Sequence, residues 1–145
     1  MVAIKENDMG RFSVEIELAN YKDLNRADDG LLERDRVRRT RIRAVVDTGA
    51  TRLVIPEAVV RQFGLETANE VAVRYAGGRR EPRPLATGIH LTYGGRSGLF
   101  SAVVEPQRDS ALIGAIVLEE LDLIPDCTRG TLEPRDPKQI ISEAE

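Results

Sequence analysis

The sequence predicts a mainly β, single-domain protein with short helices. Its 145 residues are the length of one domain, and its 41% hydrophobic content is enough to bury a core. Apolar and polar residues alternate with a period of two in several segments, which is typical of half-buried strands. Glycine pairs separate some of these segments, as expected of strands joined by tight turns.

The first third of the chain contains two predicted strands separated by a polar segment. Residues 12–18 alternate between apolar and polar side chains and predict the first strand. Residues 19–36 are polar and include Asp-Asp-Gly, which predicts a long loop. The alternation returns in residues 39–46, where Arg39, Arg41 and Arg43 share one side of the second strand.

A short apolar run, residues 53–55, precedes the first predicted helix. Pro56 suits the first position of a helix, and Gly64 suits the position just past its end. The later segments are predicted from the same signals, namely alternation, glycine turns and helical spacing. In chain order they are a strand at 71–75, a turn at Gly77-Gly78, a return through 79–85, a strand at 89–93, a turn at Gly94-Gly95, strands at 99–103 and 111–113, a helix at 116–123, a strand at 131–132 and a loose polar tail from Pro134.

The charge and the rare residue types exclude several functional classes. A net charge of −3 argues against nucleic acid as a partner, and the cluster of arginines at 34–43 is better explained as a solvated strand face than as a phosphate-binding patch. One cysteine, Cys127, and one histidine, His90, exclude an intrachain disulfide and a cysteine- or histidine-rich metal centre. We therefore expect no metal and no cofactor, and a reducing, cytoplasmic setting. No apolar run is long enough for a membrane helix, and the N-terminus lacks a secretory pattern, so no membrane association is expected.

The segment Arg43-Ala-Val-Val-Asp47-Thr48-Gly49-Ala50-Thr51 is the strongest candidate for chemistry. A carboxylate that directly follows three apolar strand residues is costly unless it is hydrogen-bonded. Thr48 offers a hydroxyl, and Gly49 allows the backbone to turn its N–H towards the carboxylate. Taken alone the tripeptide is weak evidence, because strands often end in aspartate-containing turns. Its context strengthens it, since a Gly-Gly hairpin and an apolar strand ending in Gly114 follow in order.

This order of motifs resembles the retropepsin-like aspartic peptidases, the single-lobe relatives of pepsin. The resemblance covers residues 11–134, between an N-terminal arm (1–10) and a polar C-terminal tail (135–145). It implies a closed or partly open β-barrel with one or two short helices and a flap, a hairpin that covers the active site. It further implies an aspartic endopeptidase that acts on extended peptides.

The resemblance assigns roles to individual residues. Asp47 is implied to be the catalytic aspartate, Thr48 to contact the partner chain's loop through its hydroxyl, and Gly49 to supply backbone donors within an active-site loop that ends at Ala50. The flap is implied at Tyr75, Ala76, Gly77 and Gly78, and the inner strand beside the active-site loop at Leu112, Ile113 and Gly114. One departure is that Ala115-Ile116 follows Gly114, where the viral enzymes have Arg-Asn.

The implied mechanism requires two carboxylates, one to activate water and one, protonated, to polarise the peptide carbonyl. The chain has one Asp-Thr-Gly, since Asp109 and Asp126 are not followed by Thr-Gly. We therefore expect a homodimer in which two chains each contribute Asp47. Arg79, Arg80 and Arg83 follow the flap tip and could favour acidic substrates, although solvated surface arginines are the preferred interpretation.

Two other interpretations stay open at this stage. The chain could be a catalytically idle module of the same fold that dimerises or binds peptides, although the intact Asp47-Thr48-Gly49 argues against it. It could also be an unrelated small β-barrel binding domain in which Asp47 is only a turn residue. A Cys127–His90 nucleophile is disfavoured, because a lone cysteine more often serves as a small apolar side chain.

Overall fold

The computed structural model describes residues 11–144, so the predicted N-terminal arm at 1–10 lies outside the described residues. Nine strands, three α-helices and one short 3-10 helix make up this part of the chain. In chain order they are β1 (Arg11–Asn20), α1 (Tyr21–Asp28), the 3-10 helix (Arg34–Arg36), β2 (Arg39–Asp47), β3 (Leu53–Pro56), α2 (Glu57–Phe63), β4 (Thr67–Arg74), β5 (Arg80–Tyr93), β6 (Arg96–Glu105), β7 (Ala111–Ile113), α3 (Ala115–Leu121), β8 (Leu123–Asp126) and β9 (Thr131–Pro134).

Six strands close into a barrel. The sheet order is β1-β2-β7-β3-β6-β5-β4, and β5 also pairs with β1, which closes the ring and leaves β4 outside it. β7 runs parallel to β2, and β3 runs parallel to β6, while the other pairs are antiparallel. The predicted mainly β class and closed barrel are therefore confirmed. β8 and β9 form a separate two-stranded sheet.

The alternation read from the sequence explains which strand face is buried. Phe12, Ile16 and Leu18 of β1 point into the core and are at most 2% exposed. On the outer face of β2, Arg39 and Arg41 approach Glu17 and Glu15 of β1 at 3.6 Å. The arginine-rich strand thus has a charged outer face that is paired across the strands, as its preferred interpretation predicted.

The predicted loop over residues 19–36 is wrong, because β1 continues to Asn20 and α1 follows directly. Asn20 caps this helix, since its side-chain oxygen accepts from the Asp23 backbone N–H at 3.0 Å. Asp23 is only 3% exposed, and its carboxylate accepts two hydrogen bonds from the Arg38 guanidinium. α1 also raises the number of α-helices to three, against the predicted one or two. The sequence of α1 is mostly polar and only Asp23 and Ala27 are buried, so it lacks the apolar periodicity that predicts a helix.

Other features also differ from the prediction. The return of the hairpin is one strand, β5, with an irregularity between Ala86 and Ile89 rather than a break. The last helix ends at Leu121, and a strand that was not predicted, β8, follows it. Part of the tail, expected to be loose, contacts the domain, since Ile141 N donates to Asp122 Oδ2 at 3.0 Å. Among residues 11–144, the helices are too short or too polar to span a membrane.

Candidate active site

The Asp47 loop follows a fully buried strand end. Ala44, Val45 and Val46 of β2 are buried, and Asp47 emerges from them half-buried, followed by exposed Thr48 and Gly49. The Gly49 N–H donates to Asp47 Oδ1 at 3.0 Å. The loop therefore supplies the carboxylate with a backbone donor, as the burial argument from the sequence required.

A second backbone bond shapes the same turn. Ala50 N donates to the Asp47 carbonyl oxygen at 3.1 Å, so the chain reverses direction immediately after the aspartate. Thr51 and Arg52 then lead into β3. The aspartate is thus placed where a buried strand meets an open loop.

The inner strand β7 lies between the two strands that carry this loop. Leu112 pairs with Val45 of β2 in parallel and with Val54 of β3 in antiparallel orientation. Ile113 pairs with Val46, the residue before Asp47. The structure thus brings the predicted inner strand against both ends of the Asp47 loop.

Gly114 is in direct contact with the loop backbone. A Cβ atom at this position would lie 2.7 Å from the Ala50 carbonyl oxygen and 2.8 Å from that of Arg52. Just beyond it, Ala115 N donates to Ala50 O and Ile116 N to Thr51 O, both at 2.9 Å. Glycine is required here because of close approach between backbones, and the start of α3 fixes the loop by two hydrogen bonds.

The predicted hairpin is formed by β4 and β5. Its turn is closed by hydrogen bonds from Tyr75 N to Arg79 O at 2.8 Å and from Gly78 N to Tyr75 O at 2.9 Å. Gly77 and Gly78 have φ values of 96° and 91°, which non-glycine residues rarely adopt. The Ala76-Gly77-Gly78 tip is therefore located where the sequence predicts it.

Tyr75 joins the hairpin to the barrel. Its hydroxyl donates to the carboxylate of Glu105, the last residue of β6, and Arg83 Nε donates to the other carboxylate oxygen at 3.0 Å. Burial, followed by the hydrogen bond to Glu105, raises the pKa of Tyr75 above its usual value. The Arg79 guanidinium also lies 4.4 Å from the centre of the Tyr75 ring. Tyr75 is therefore protonated at neutral pH and acts as a donor.

A cleft of about 520 Å³ separates the loop from the hairpin. The loop contributes residues 49–52 to its lining, and β4 contributes residues 71–74. Val54 and Val103 complete the apolar part of the wall. Among the predicted site residues, Gly49 and Ala50 thus line the cleft, whereas Tyr75 is directed towards Glu105 instead.

A sequence profile of the family described as "gag-polyprotein putative aspartyl protease" matches residues 36–120, more than half of the chain. The chain belongs to this family. The matched range includes the Asp47 loop, the hairpin and the inner strand.

Solved structures of retroviral proteases are similar to the chain. The EIAV protease complexed with the inhibitor HBY-793 is 18% identical and has a TM-score of 0.46, covering 57% of this chain and 78% of that one. The Simian Foamy Virus (mac) protease is 19% identical, with a TM-score of 0.44, covering 55% of this chain and 81% of that one. No curated protein matches the sequence.

Two charged residues near the site, Glu105 and Arg108, carry no signal in the sequence. Glu105 became visible only through its contacts with Tyr75 and Arg83. Arg108 stabilises the turn before β7, since its Nε donates to the Ser110 carbonyl oxygen at 2.9 Å. Burial, the largest cause, lowers the pKa of Arg108 from its usual value. Isolated charged residues carry no motif, so the sequence offered no signal for either role.

His90 and Cys127, the pair disfavoured as a nucleophile and base, each pack against other side chains. His90 stacks on Tyr21, with ring centres 6.4 Å apart. Cys127 is half-buried and packs against the main core. Residues 11–144 contain no cluster of three or more His, Cys, Asp or Glu side chains that could hold a metal ion.

Proposed function

We propose that the protein is an aspartic endopeptidase whose active site is formed by the Asp47 residues of two chains in a homodimer. The proposal rests on the geometry of the Asp47 loop in a chain that belongs to an aspartyl protease family. Its carboxylate accepts a hydrogen bond from Gly49 N, and its next residues line an open cleft. Two-fold symmetry is the commonest way in which a chain with half a site completes it.

The chemistry follows from two carboxylates placed close together. They cannot both ionise at short separation, so the pair shares one proton. The charged carboxylate takes a proton from a water molecule as that water attacks the peptide carbonyl carbon, and the protonated carboxyl donates to the carbonyl oxygen. A proton then passes to the amide nitrogen as the C–N bond breaks. Thr48, exposed beside Asp47, is proposed to contact the partner's loop.

The substrate is proposed to be an extended peptide bound between the Asp47 loop and the β4–β5 hairpin. Backbone groups of a hairpin can add hydrogen bonds to an extended chain, and its closure excludes water from the reaction. The hairpin carries the glycine-rich tip at Ala76–Gly78, and Tyr75, the residue before it, anchors this end of the hairpin to Glu105. The predicted cytoplasmic localisation stays a prediction.

Cleavage of denatured casein tests the proposal. We expect wild-type protein to cleave casein over some part of about pH 4–8, with inhibition by pepstatin. Asp47→Asn, which keeps the shape but cannot share the proton, should lower turnover at least about 100-fold. Asp35→Asn, a matched change of an exposed carboxylate in the 3-10 helix, should not.

Two results would contradict the assignment. Activity of Asp47→Asn within about tenfold of wild type would remove Asp47 from catalysis. A wild-type dimer that binds peptides without cleaving them would instead support the idle module. Circular dichroism and sedimentation of each variant establish that fold and dimer are intact.

A further inference from the structure

Each wall of the cleft carries one arginine. Arg52 lies at the end of the Asp47 loop, and Arg74 is the last residue of β4. Within residues 11–144, no carboxylate forms an ion pair with either guanidinium. The cleft lining contains no acidic residue. The residues that line the cleft therefore carry two positive charges and no negative charge, and the Asp47 carboxylate lies next to the lining at Gly49.

The arginines nearer the hairpin tip differ in this respect. Arg79 forms an ion pair with Glu81 at 2.8 Å and lies over the Tyr75 ring. Arg83 is paired with Glu105 at 3.0 Å. Their charges are already matched within the chain, and neither residue lines the cleft.

The rest of the lining suits the stem of an amino-acid side chain. Val54 and Val103 supply an apolar surface beside the loop, and Ala72 lies on the same face of β4 as Arg74. A glutamate or aspartate side chain can pack its methylene carbons on such a surface while its carboxylate meets a guanidinium. Guanidinium groups match carboxylates in two-point geometry, and a confined cationic cleft concentrates anions.

We propose that Arg52 and Arg74 are specificity-determining residues, which select peptides with an acidic side chain close to the cleaved bond. This inference rests on the proposed function. Gly49 and Ala50, two and three residues after Asp47, line the same cleft. The subsite proposed to bind an acidic side chain therefore adjoins the proposed catalytic carboxylate. Two-fold symmetry would give one such subsite on each side of the scissile bond.

Peptide-library cleavage tests this selection. An equimolar library of random-sequence peptides is digested, and the frequency of Asp and Glu near each cut is read by mass spectrometry. Peptides that differ only by Glu or Gln at the enriched position then give kcat/KM. We expect wild type to favour Glu by about tenfold, the ratio that about 1.4 kcal/mol of transition-state stabilisation produces. Arg52→Gln/Arg74→Gln should abolish the preference.

A matched double variant controls for net charge. Arg36 and Arg129 are exposed, lie outside the cleft lining and form no ion pair with any described residue. Arg36→Gln/Arg129→Gln should keep the preference for Glu. Arg52→Glu/Arg74→Glu should reverse it towards Lys and Arg, a gain that misfolding cannot produce. Wild-type cleavage without an acidic preference, or a preference that survives Arg52→Gln/Arg74→Gln, would overturn the proposal.

A binding measurement separates this inference from the proposed activity. The same library is passed over immobilised Asp47→Asn protein, and the retained peptides are sequenced. Acidic peptides should be enriched, less so at high salt, and not enriched when Arg52→Gln/Arg74→Gln is added. If wild type cleaves nothing while this enrichment is found, the proposed function fails and the subsite for acidic side chains stands. If cleavage occurs without enrichment or preference, the subsite fails and the peptidase stands.

Discussion

The Tyr75 hydroxyl donates a hydrogen bond to the carboxylate of Glu105, and this bond links the hairpin to β6, the strand that pairs with β3. Glu105 is the register partner of Pro56, the last residue of β3, and β3 begins where the Asp47 loop ends. Glu105 is 9% exposed, so its bonds are made largely out of water. The buried Glu105 carboxylate therefore connects the β4–β5 hairpin, through β6 and β3, to the Asp47 loop.

Tyr75→Phe should weaken peptide binding by releasing the turn end of the hairpin from Glu105. Loss of a hydrogen bond to a buried carboxylate costs about 1–3 kcal/mol of unfolding free energy, and we expect KM to rise several-fold. Tyr93→Phe is the matched control, since the Tyr93 hydroxyl donates to Leu132 O at 2.9 Å outside the cleft lining. It should lower stability without raising KM. Equal KM values for both variants would contradict the anchoring role.

Asp23→Asn should change how stability depends on pH. The hydrogen bonds from Arg38, the largest cause, lower the pKa of Asp23 in the folded chain. A carboxyl whose pKa is lowered by folding stabilises the fold above its unfolded pKa of about 3.9, and this contribution is lost as pH falls through the folded value. The variant should therefore be less stable by about 1–3 kcal/mol near pH 6, with the difference shrinking below about pH 4.

Urea unfolding at several pH values measures this effect. Asp28→Asn is the control, because Asp28 forms an exposed ion pair with Arg34 and should contribute little. A difference between wild type and Asp23→Asn that stays constant down to pH values near 3 would show that the carboxylate charge is not responsible.

Gly114→Ala should disturb the Asp47 loop directly. The added Cβ would meet the Ala50 and Arg52 carbonyl oxygens below 3 Å, so the loop backbone must shift. We expect a loss of about 1–3 kcal/mol in stability and a fall in kcat. Gly30→Ala is the control, since it meets no atom within 4 Å but has a φ of +77°. It should cost about 1–2 kcal/mol of stability while leaving turnover per folded molecule unchanged, and equal turnover in both variants would contradict the loop-shaping role.

The parts of this fold that depend on local patterns could be predicted from the sequence. Alternation located β1 and β2, Pro56 and Gly64 bounded α2, and glycine pairs located the turns. The Asp47 loop was found because an aspartate after a buried strand requires backbone donors, and Gly49 N provides one. Each of these signals spans only a few consecutive residues.

The parts that depend on contacts between distant residues could not be predicted. α1 is stabilised by the Asp23–Arg38 pair, which joins residues 15 apart and leaves no periodic pattern. Tyr75 and Glu105 are 30 residues apart, and nothing in the sequence matches one to the other. Arg52 and Arg74 likewise come together at one cleft only because β4 packs outside the barrel, opposite the loop.

A mixing experiment tests the central claim, that two Asp47 carboxylates form one site. A fixed amount of wild-type chain is allowed to exchange subunits with about a ninefold excess of Asp47→Asn chain, and casein cleavage is then measured. Random pairing leaves about one tenth of the wild-type chains paired with each other, so activity should fall to about one tenth. The same excess of Asp35→Asn should raise activity instead. Unchanged activity in the Asp47→Asn mixture would show that each chain works alone and would contradict the shared site.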